Sequence, residues 1–303
     1  MCLYPRTIKN PKYQASSKNP KESLIPKDRR LYYIEIPCGK CQECKRKRSS
    51  EWRARLSMEL KQNNDAQFVT LTFSDDSLKN FKNSEANKTA AIFARRLTKN
   101  CNKHKIKIKR FLVPEIGGED TERLHFHGII WPSLSQEEWN KIWPYGIADI
   151  GYECSERTIG YIIKYIMKPN EKFPDFEPRI FTSAGIGIGY IKSSDAIHNK
   201  FQKGTSTKIR TEKGTKIEMP RYWKQKLYSD AEREEIYLRN LEKDEKWVDG
   251  VKFSPISDIK IYNAYIKALE RQKQVAKEAG FKAPKRKNEK KLPKSINNQK
   301  KSI

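Results

Sequence analysis

The stretch Arg123-Leu124-His125-Phe126-His127-Gly128-Ile129-Ile130-Trp131 constrains the fold more than any other part of the chain. Its aliphatic and aromatic residues stop at Pro132, which is the composition of a β-strand. Side chains alternate along a strand. His125 and His127 therefore share a face, about 7 Å apart at Cα. Leu124, Phe126 and Ile130 face the other way, into a core. The chain holds four histidines, and two of them stand here. Two imidazoles on one face of a rigid strand can act as paired metal ligands. A pattern this short is equally compatible with two surface histidines on a half-exposed strand.

A second stretch runs from Glu156 to Pro169 and is spaced for a helix that the proline ends. At about 100° per residue, Ile159, Ile162, Ile163 and Ile166 gather on one side. Arg157, Tyr161, Lys164, Tyr165 and Lys168 gather on the other. Tyr161 and Tyr165 are one turn apart and share a face. A bland surface face would carry carboxylates among its cations, and a core face would not carry three cations. A solvated or DNA-facing helix with snorkelling tyrosines is the plain alternative.

Together the two stretches resemble a known family. His125-Phe126-His127 followed by Tyr161-Ile162-Ile163-Lys164-Tyr165 is similar to the HUH endonucleases, in the two-tyrosine class of rolling-circle replication initiators. Phe68-Val69-Thr70-Leu71-Thr72-Phe73-Ser74-Asp75 resembles the first motif of that class. Three further stretches resemble the initiators of small single-stranded DNA phages, the gokushovirus branch of the Microviridae. They are Cys38-Gly39-Lys40-Cys41-Gln42-Glu43-Cys44 with Arg48 and Glu51-Trp52-Arg53-Ala54-Arg55, Pro220-Arg221-Tyr222-Trp223-Lys224, and Leu227-Tyr228. The resemblance covers residues 36 to 228. It implies a palm-like sheet with the histidines on a central strand and the tyrosine helix beside them. It also implies a carboxylate or other polar side chain that completes the metal site, a 5′-phosphotyrosine product and a free 3′-hydroxyl extended by a host polymerase.

Glu115 is the candidate for that third ligand. The segment Ile106 to Glu115 reads as a strand, and Gly117-Gly118-Glu119-Asp120 reads as a turn into the histidine strand. The pair forms an antiparallel hairpin with Glu115 beside the histidines. Two imidazoles and one carboxylate suit Mn²⁺ or Mg²⁺ with open water positions. Glu156 and Asp149 are substitutes, and a solvated hairpin glutamate is the plain reading. A free phenol has a pKa near 10, so about 0.1% is ionised at neutral pH. The cationic face, Lys164 above all, is expected to lower that pKa or neutralise a phosphate. The expected catalytic residues are Tyr161, Tyr165 and Lys164.

A net charge of +26 over 303 residues points to a polyanionic partner, with nucleic acid the default. No apolar run reaches transmembrane length and no signal-peptide core opens the chain, so no membrane partner and a host cytoplasm are expected. Six cysteines in that setting read as reduced thiols. Cys38, Cys41 and Cys44 form a C-x-x-C-x-x-C cluster that suits a metal turn, with Cys2 as a fourth ligand for tetrahedral zinc. Three unligated thiols at a turn is the alternative. Gly185-Ile186-Gly187-Ile188-Gly189-Tyr190 lacks the βαβ frame of a dinucleotide site. Its glycines are expected to let backbone pass close to the active site or to DNA. No Walker motif occurs, so unwinding of a supercoiled origin falls to a host helicase.

Further strands are expected at 31–36, 68–73 and 147–150. Helices are expected at 46–64, 85–100, 135–143, 220–244 and 255–279, the third with a Ser135/Glu138 capping box and with Trp139 and Trp143 in the core. This is an α+β chain: a mostly antiparallel central sheet flanked by helices, with a helical basic C-terminal extension. The expected division is a basic arm with the cysteines (1–45), an endonuclease domain (46–200), a helical region (201–280) and a disordered lysine-rich tail (281–303) that adds salt-sensitive DNA affinity. The expected function is metal-dependent nicking and joining of single-stranded DNA at a replication origin. The rivals are an HUH transposase or relaxase, and a non-enzymatic binder of single strands that stacks bases on its aromatics.

Overall fold

The computed structural model describes residues 1–16, 25–79, 81–117, 122–167, 169, 172–173, 175–202, 204–211 and 214–284. In chain order its regular elements begin with β1 (Arg6–Lys9), β2 (Tyr33–Ile36), α1 (Gln42–Gln62), β3 (Gln67–Leu71) and α2 (Ala86–Lys103). Then come β4 (Lys109–Ile116), β5 (Leu124–Trp131), α3 (Gln136–Ile142), β6 (Ala148–Glu153), α4 (Glu156–Met167), β7 (Phe181–Thr182) and the short α5 (Ser194–Ile197). The chain closes with β8 (Lys208–Arg210), β9 (Lys216–Glu218), α6 (Arg221–Leu227), α7 (Asp230–Glu242), β10 (Lys246–Val248), β11 (Val251–Phe253) and α8 (Ile259–Glu278). Lys168, Gly118, Glu119, Asp120 and the tail from 285 onward lie outside the described residues.

Two compact units form. One spans residues 46–228; the other joins 1–45 to 229–303. In the first, five strands make one sheet in the order β6-β3-β5-β4-β7, antiparallel at every pairing. The histidine strand β5 is central. It pairs with β4 over eight residues, as the hairpin reading of the sequence requires.

The alternation along each strand sorts the residues to two faces. Val69, Leu71, Leu112, Ile116, Leu124, Phe126 and Ile130 join one core with Phe93 and Leu97 of α2 and Trp139 of α3. Phe111, Val113, Ile129 and Trp131 join the other with Leu56 of α1 and the four isoleucines of α4. A central strand buried on both faces is continuously apolar, which explains the run Gly128-Ile129-Ile130-Trp131. The indole N–H of Trp139 donates to Gln67 at 3.0 Å and that of Trp143 to the Thr72 carbonyl at 2.9 Å, so these buried tryptophans keep their polar atoms paired. The Ser135/Glu138 capping box is present.

Several boundaries differ from the sequence reading. The expected arm is not free where it is described: β1 pairs antiparallel with β2, and Leu3 is buried in a core with Val248, Tyr265 and Leu269. The sheet unit runs past 200, because the Trp223 indole donates to the Gly187 carbonyl at 2.8 Å and the Tyr228 hydroxyl to the Asn199 carbonyl at 2.6 Å. The expected helix 220–244 is two helices. Ser229 breaks it by capping α7 reciprocally with Glu232, and a cap stops the preceding helix from running through.

The glycine loop packs against α1. Gly187 is left-handed at φ 72°, and a Cβ there would sit 2.6 Å from the Arg55 carbonyl oxygen. The close approach is to the backbone of α1, with no active-site residue among the nearest atoms. The Gly187 N–H donates at 2.7 Å to Glu59, whose other oxygen accepts from Lys109 at 2.6 Å. Gly185 is equally left-handed at φ 82° but has open space around its Cβ position. Gly185→Ala is therefore expected to cost about 1–2 kcal/mol, the backbone term alone. Gly187→Ala is expected to cost a further ~1–3 kcal/mol of overpacking. Urea unfolding of the two variants side by side checks the order.

Candidate active site

Strand parity builds the site. His125 and His127 have the parity of Ile129 and Trp131, so they lie on the α4 face. On β4, Glu115 has the parity of Phe111 and Val113, and it stands directly opposite His125. On β3, Phe68 and Thr70 have the opposite parity to Val69 and Leu71, and Thr70 stands opposite His127. Three strands thus send one carboxylate, two imidazoles, a hydroxyl and a phenyl ring to the same spot.

The ligand atoms converge. Glu115 Oε2 lies 3.1 Å from His125 Nε2 and 2.9 Å from His127 Nε2, and the two Nε2 atoms are 3.1 Å apart. Each ring is oriented from behind. His125 Nδ1 is 3.1 Å from the Arg123 carbonyl oxygen, to which it can only donate. The nitrogen that faces inward is therefore Nε2. His127 Nδ1 is 3.3 Å from Thr70 Oγ1, and its ring stacks on Phe68 with centroids 5.9 Å apart.

Such a triangle of lone pairs needs a cation or a proton at its centre. Burial pushes the Glu115 carboxyl up, but the hydrogen bonds and charges of His125 and His127 overcome it and hold the group down at about 2. The carboxylate is therefore present at neutral pH. Ligand atoms about 2.1 Å from an ion, at right angles to one another, are about 3.0 Å apart. The three separations here match the edges of one octahedral face, so the donor set fits a divalent metal ion. Among the described residues, Glu115, His125 and His127 form one of two groups that could hold one. Asp149 and Glu156, the substitutes weighed from the sequence, are not in it.

Helix α4 covers this triangle. Its isoleucines Ile159, Ile162, Ile163 and Ile166 are buried against the sheet, which turns Tyr161 and Tyr165 toward the histidines. The Tyr165 ring stacks on His127 at 4.4 Å, with 17° between the planes. The Tyr161 ring meets His127 edge-on at 6.0 Å and is 45% exposed. The Tyr165 hydroxyl donates to that of Tyr161. Lys164 and Arg157 are exposed.

The sequence reading expected the cationic face to lower the tyrosine pKa. The fold does the reverse at Tyr165: burial raises it first, then the bond to Tyr161 and the charge of Glu115. That reading also gave no part to Phe68 or Thr70, although the motif containing them was visible. Their period-2 placement opposite the histidine strand was the available signal.

The arginines of α1 divide. Arg55 packs its guanidinium between the Trp52 and Tyr222 rings at 4.1 and 4.2 Å and donates to the Ile186 carbonyl. It ties α1 to the glycine loop and α6. Arg53 is exposed and lies near Gly160 of α4, one residue from Tyr161.

Removing the hydroxyl behind His127 tests the metal reading of the cluster. Thr70→Val is expected to weaken Mn²⁺ binding about 10-fold, as loss of an outer-shell partner does. His125→Ala with His127→Ala abolishes it, and Asp149→Asn leaves it unchanged. Free Mn²⁺ measured by electron paramagnetic resonance during titration of the full chain reads all three.

Comparison with known proteins agrees in outline. Residues 66–170 match a family of replication-associated proteins of the ORF2 type. That segment contains β3, β5, α4 and every residue of the cluster. The chain is 24% identical over 245 residues to the replication-associated protein ORF4 of Chlamydia phage 1, covering 70% of this chain and 59% of that protein. It is 26% identical over 238 residues to the replication-associated protein ORF2 of Spiroplasma virus 4, covering 70% and 73%. The chain thus spans less than two thirds of the first relative's length. No solved structure matches. These likenesses establish a distant relationship to the ORF2-type replication-associated proteins of such phages.

Proposed function

We propose that this chain initiates rolling-circle DNA replication by cutting and rejoining a single strand at an origin, through transfer of a phosphodiester to tyrosine. The observation that carries the reading is the Glu115–His125–His127 triangle with the Tyr165 ring stacked on it and Tyr161 beside it. The replication-associated names of the relatives support it, as does a charge of +26 suited to DNA.

The octahedral spacing and the nitrogen and oxygen donors suit Mg²⁺ or Mn²⁺. Held by Glu115, His125 and His127, such an ion supplies Lewis-acid polarisation of a phosphate oxygen. The second metal-capable group, four thiols, suits a softer ion such as Zn²⁺.

The residues of the chain do the rest. The phenol oxygen of one tyrosine attacks phosphorus and gives up its proton. The bond from phosphorus to the 3′ oxygen breaks, and that oxygen leaves as a hydroxyl. The products are a 5′-phosphotyrosine and a 3′ end that a host polymerase extends, with a host helicase opening the duplex. The tyrosine ester keeps the energy of the broken bond, so a later 3′-hydroxyl can attack it and close a circle. Lys164, exposed on α4 one residue before Tyr165, is the candidate to neutralise the phosphate. Two tyrosines on one helix let one hold a 5′ end while the other cuts the regenerated origin.

The test is nicking of labelled origin-containing single strands with Mn²⁺ or Mg²⁺, read on a denaturing protein gel. A metal-dependent covalent adduct is expected. Tyr161→Phe and Tyr165→Phe together remove it entirely, and each alone ranks the two nucleophiles. His125→Ala with His127→Ala is expected to slow nicking by about 10²–10³-fold. DNA binding without an adduct on any strand tested would sink the enzyme reading and leave a binding module that stacks bases on Phe68 and the tyrosines.

A further inference from the structure

We infer that Cys2, Cys38, Cys41 and Cys44 hold a closed, structural Zn²⁺ that folds the unit built from the two ends of the chain. The inference does not depend on the nicking reaction, since no residue of the cysteine group belongs to the histidine site.

The register of the β1–β2 ribbon brings the ligands together. Arg6 pairs with Ile36 and Thr7 with Glu35. The same antiparallel register, carried past the end of the ribbon, sets Cys2 opposite Lys40, between Cys38 and Cys41. Gly39 turns left-handed at φ 77° with nothing within 4 Å of its Cβ position. That turn lets residues 38–41 wrap back, and α1 starts at Gln42 and carries Cys44 in its first turn.

The sulfur spacing suits a tetrahedral site, with all four ligand atoms within 4.8 Å of one another. A Zn–S bond of about 2.3 Å gives a tetrahedral edge of about 3.8 Å. The Cys38 and Cys44 sulfurs are 3.8 Å apart, and those of Cys2 and Cys41 are 3.9 Å apart. A disulfide would need about 2.05 Å, and none of these cysteines forms one. Backbone donors point at the sulfurs. The N–H groups of Cys38 and Tyr4 donate to Cys2 Sγ at 3.2 and 3.4 Å, that of Cys41 to Cys38 Sγ at 3.3 Å, and that of Leu3 to Cys41 Sγ at 3.4 Å. Four thiolates with no cation among them would repel one another; four around Zn²⁺ leave no position open for a substrate. The site is therefore structural.

Its place explains its weight. The buried cluster beside the cysteines is small: Leu3, Cys41, Val248, Tyr265, Leu269 and Ala276. The other three cysteines pack against it, as do Phe253 and Phe281. A core of this size is marginal alone, which is where structural metals are used. Metal-binding energy becomes folding energy.

The full-length chain, purified without added metal and dialysed, is expected to retain one zinc per chain by elemental analysis. Cobalt exchanged for zinc should show the intense visible bands of tetrahedral thiolate coordination. Cys44→Ser and, separately, Cys2→Ser should lose both, while His125→Ala with His127→Ala should keep both. On chelation, amide hydrogen exchange should rise across residues 1–16, 25–45 and 229–284 and stay low in β4 and β5. Zinc that stays in the cysteine variants and leaves with the histidines would overturn the assignment, as would wild-type protein with neither zinc nor cobalt bands. Unchanged exchange in the two chain ends after zinc removal would overturn the folding role. The cobalt spectrum is read on wild-type protein, so it decides the ligand set even if a cysteine variant fails to fold.

Discussion

The pairing of β5 with β4 and β3 is the constraint on which the rest of the structure depends. β5 has a neighbour on each side, so its register is fixed twice. Register decides which side chains meet across the sheet, and a slip of one residue would turn every one of them to the other face. In this register Glu115 meets His125 and Thr70 meets His127. The apolar residues of the same strands make the two cores that hold the register. The site therefore needs no loop to position it; its five side chains sit on strands already fixed by burial, which is how tight geometry is kept.

Much of the site was legible in the sequence because strand parity is local. The two histidines share a face by their spacing, and Glu115 reached them through a hairpin whose turn was visible. The tyrosines followed from helical spacing against four isoleucines. What was not legible depends on contacts far apart in the chain. Cys2 was named as a fourth ligand by residue type alone; it lies 36 residues from Cys38, and the β1–β2 register that brings them together has no local signal. Arg55 is 131 residues from the Ile186 carbonyl it binds, a contact that no local pattern names. Gly187 avoids the backbone of Arg55, a neighbour that no local pattern names. The split at Ser229 was available locally, since Ser229 and Glu232 spell a capping box, but the apolar spacing across it read as one helix.

The two metal-capable groups differ in ways that follow from their ligands. At the histidine site the ligand atoms are 2.9–3.1 Å apart, and a single face of three donors leaves room for water or phosphate. At the cysteine site the sulfurs of the two pairs are 3.8 and 3.9 Å apart, and four donors close the sphere. Nitrogen and oxygen donors prefer a harder ion, and thiolates a softer one. One chain can then hold both without exchange, each unit keeping its own.

The two tyrosines look equivalent in the sequence and are not equivalent in the fold. Both project from one face of α4, one turn apart. Yet Tyr165 lies flat on His127 and donates to Tyr161, whereas Tyr161 is exposed and touches the edge of the same ring. Burial and the Glu115 charge both hold Tyr165 in its neutral form. The charge part of that effect has a sign that the site can change, because a divalent cation held between Glu115 and the histidines outweighs the single negative charge it sits on. Burial is unaffected by such an ion. The helix thus carries one phenol that is fixed in place and sensitive to the charge of the triangle, and one that is accessible to a strand arriving from solvent. In the reaction proposed above, an exchange of roles between them over successive cuts would require breaking the hydrogen bond that now joins their hydroxyls.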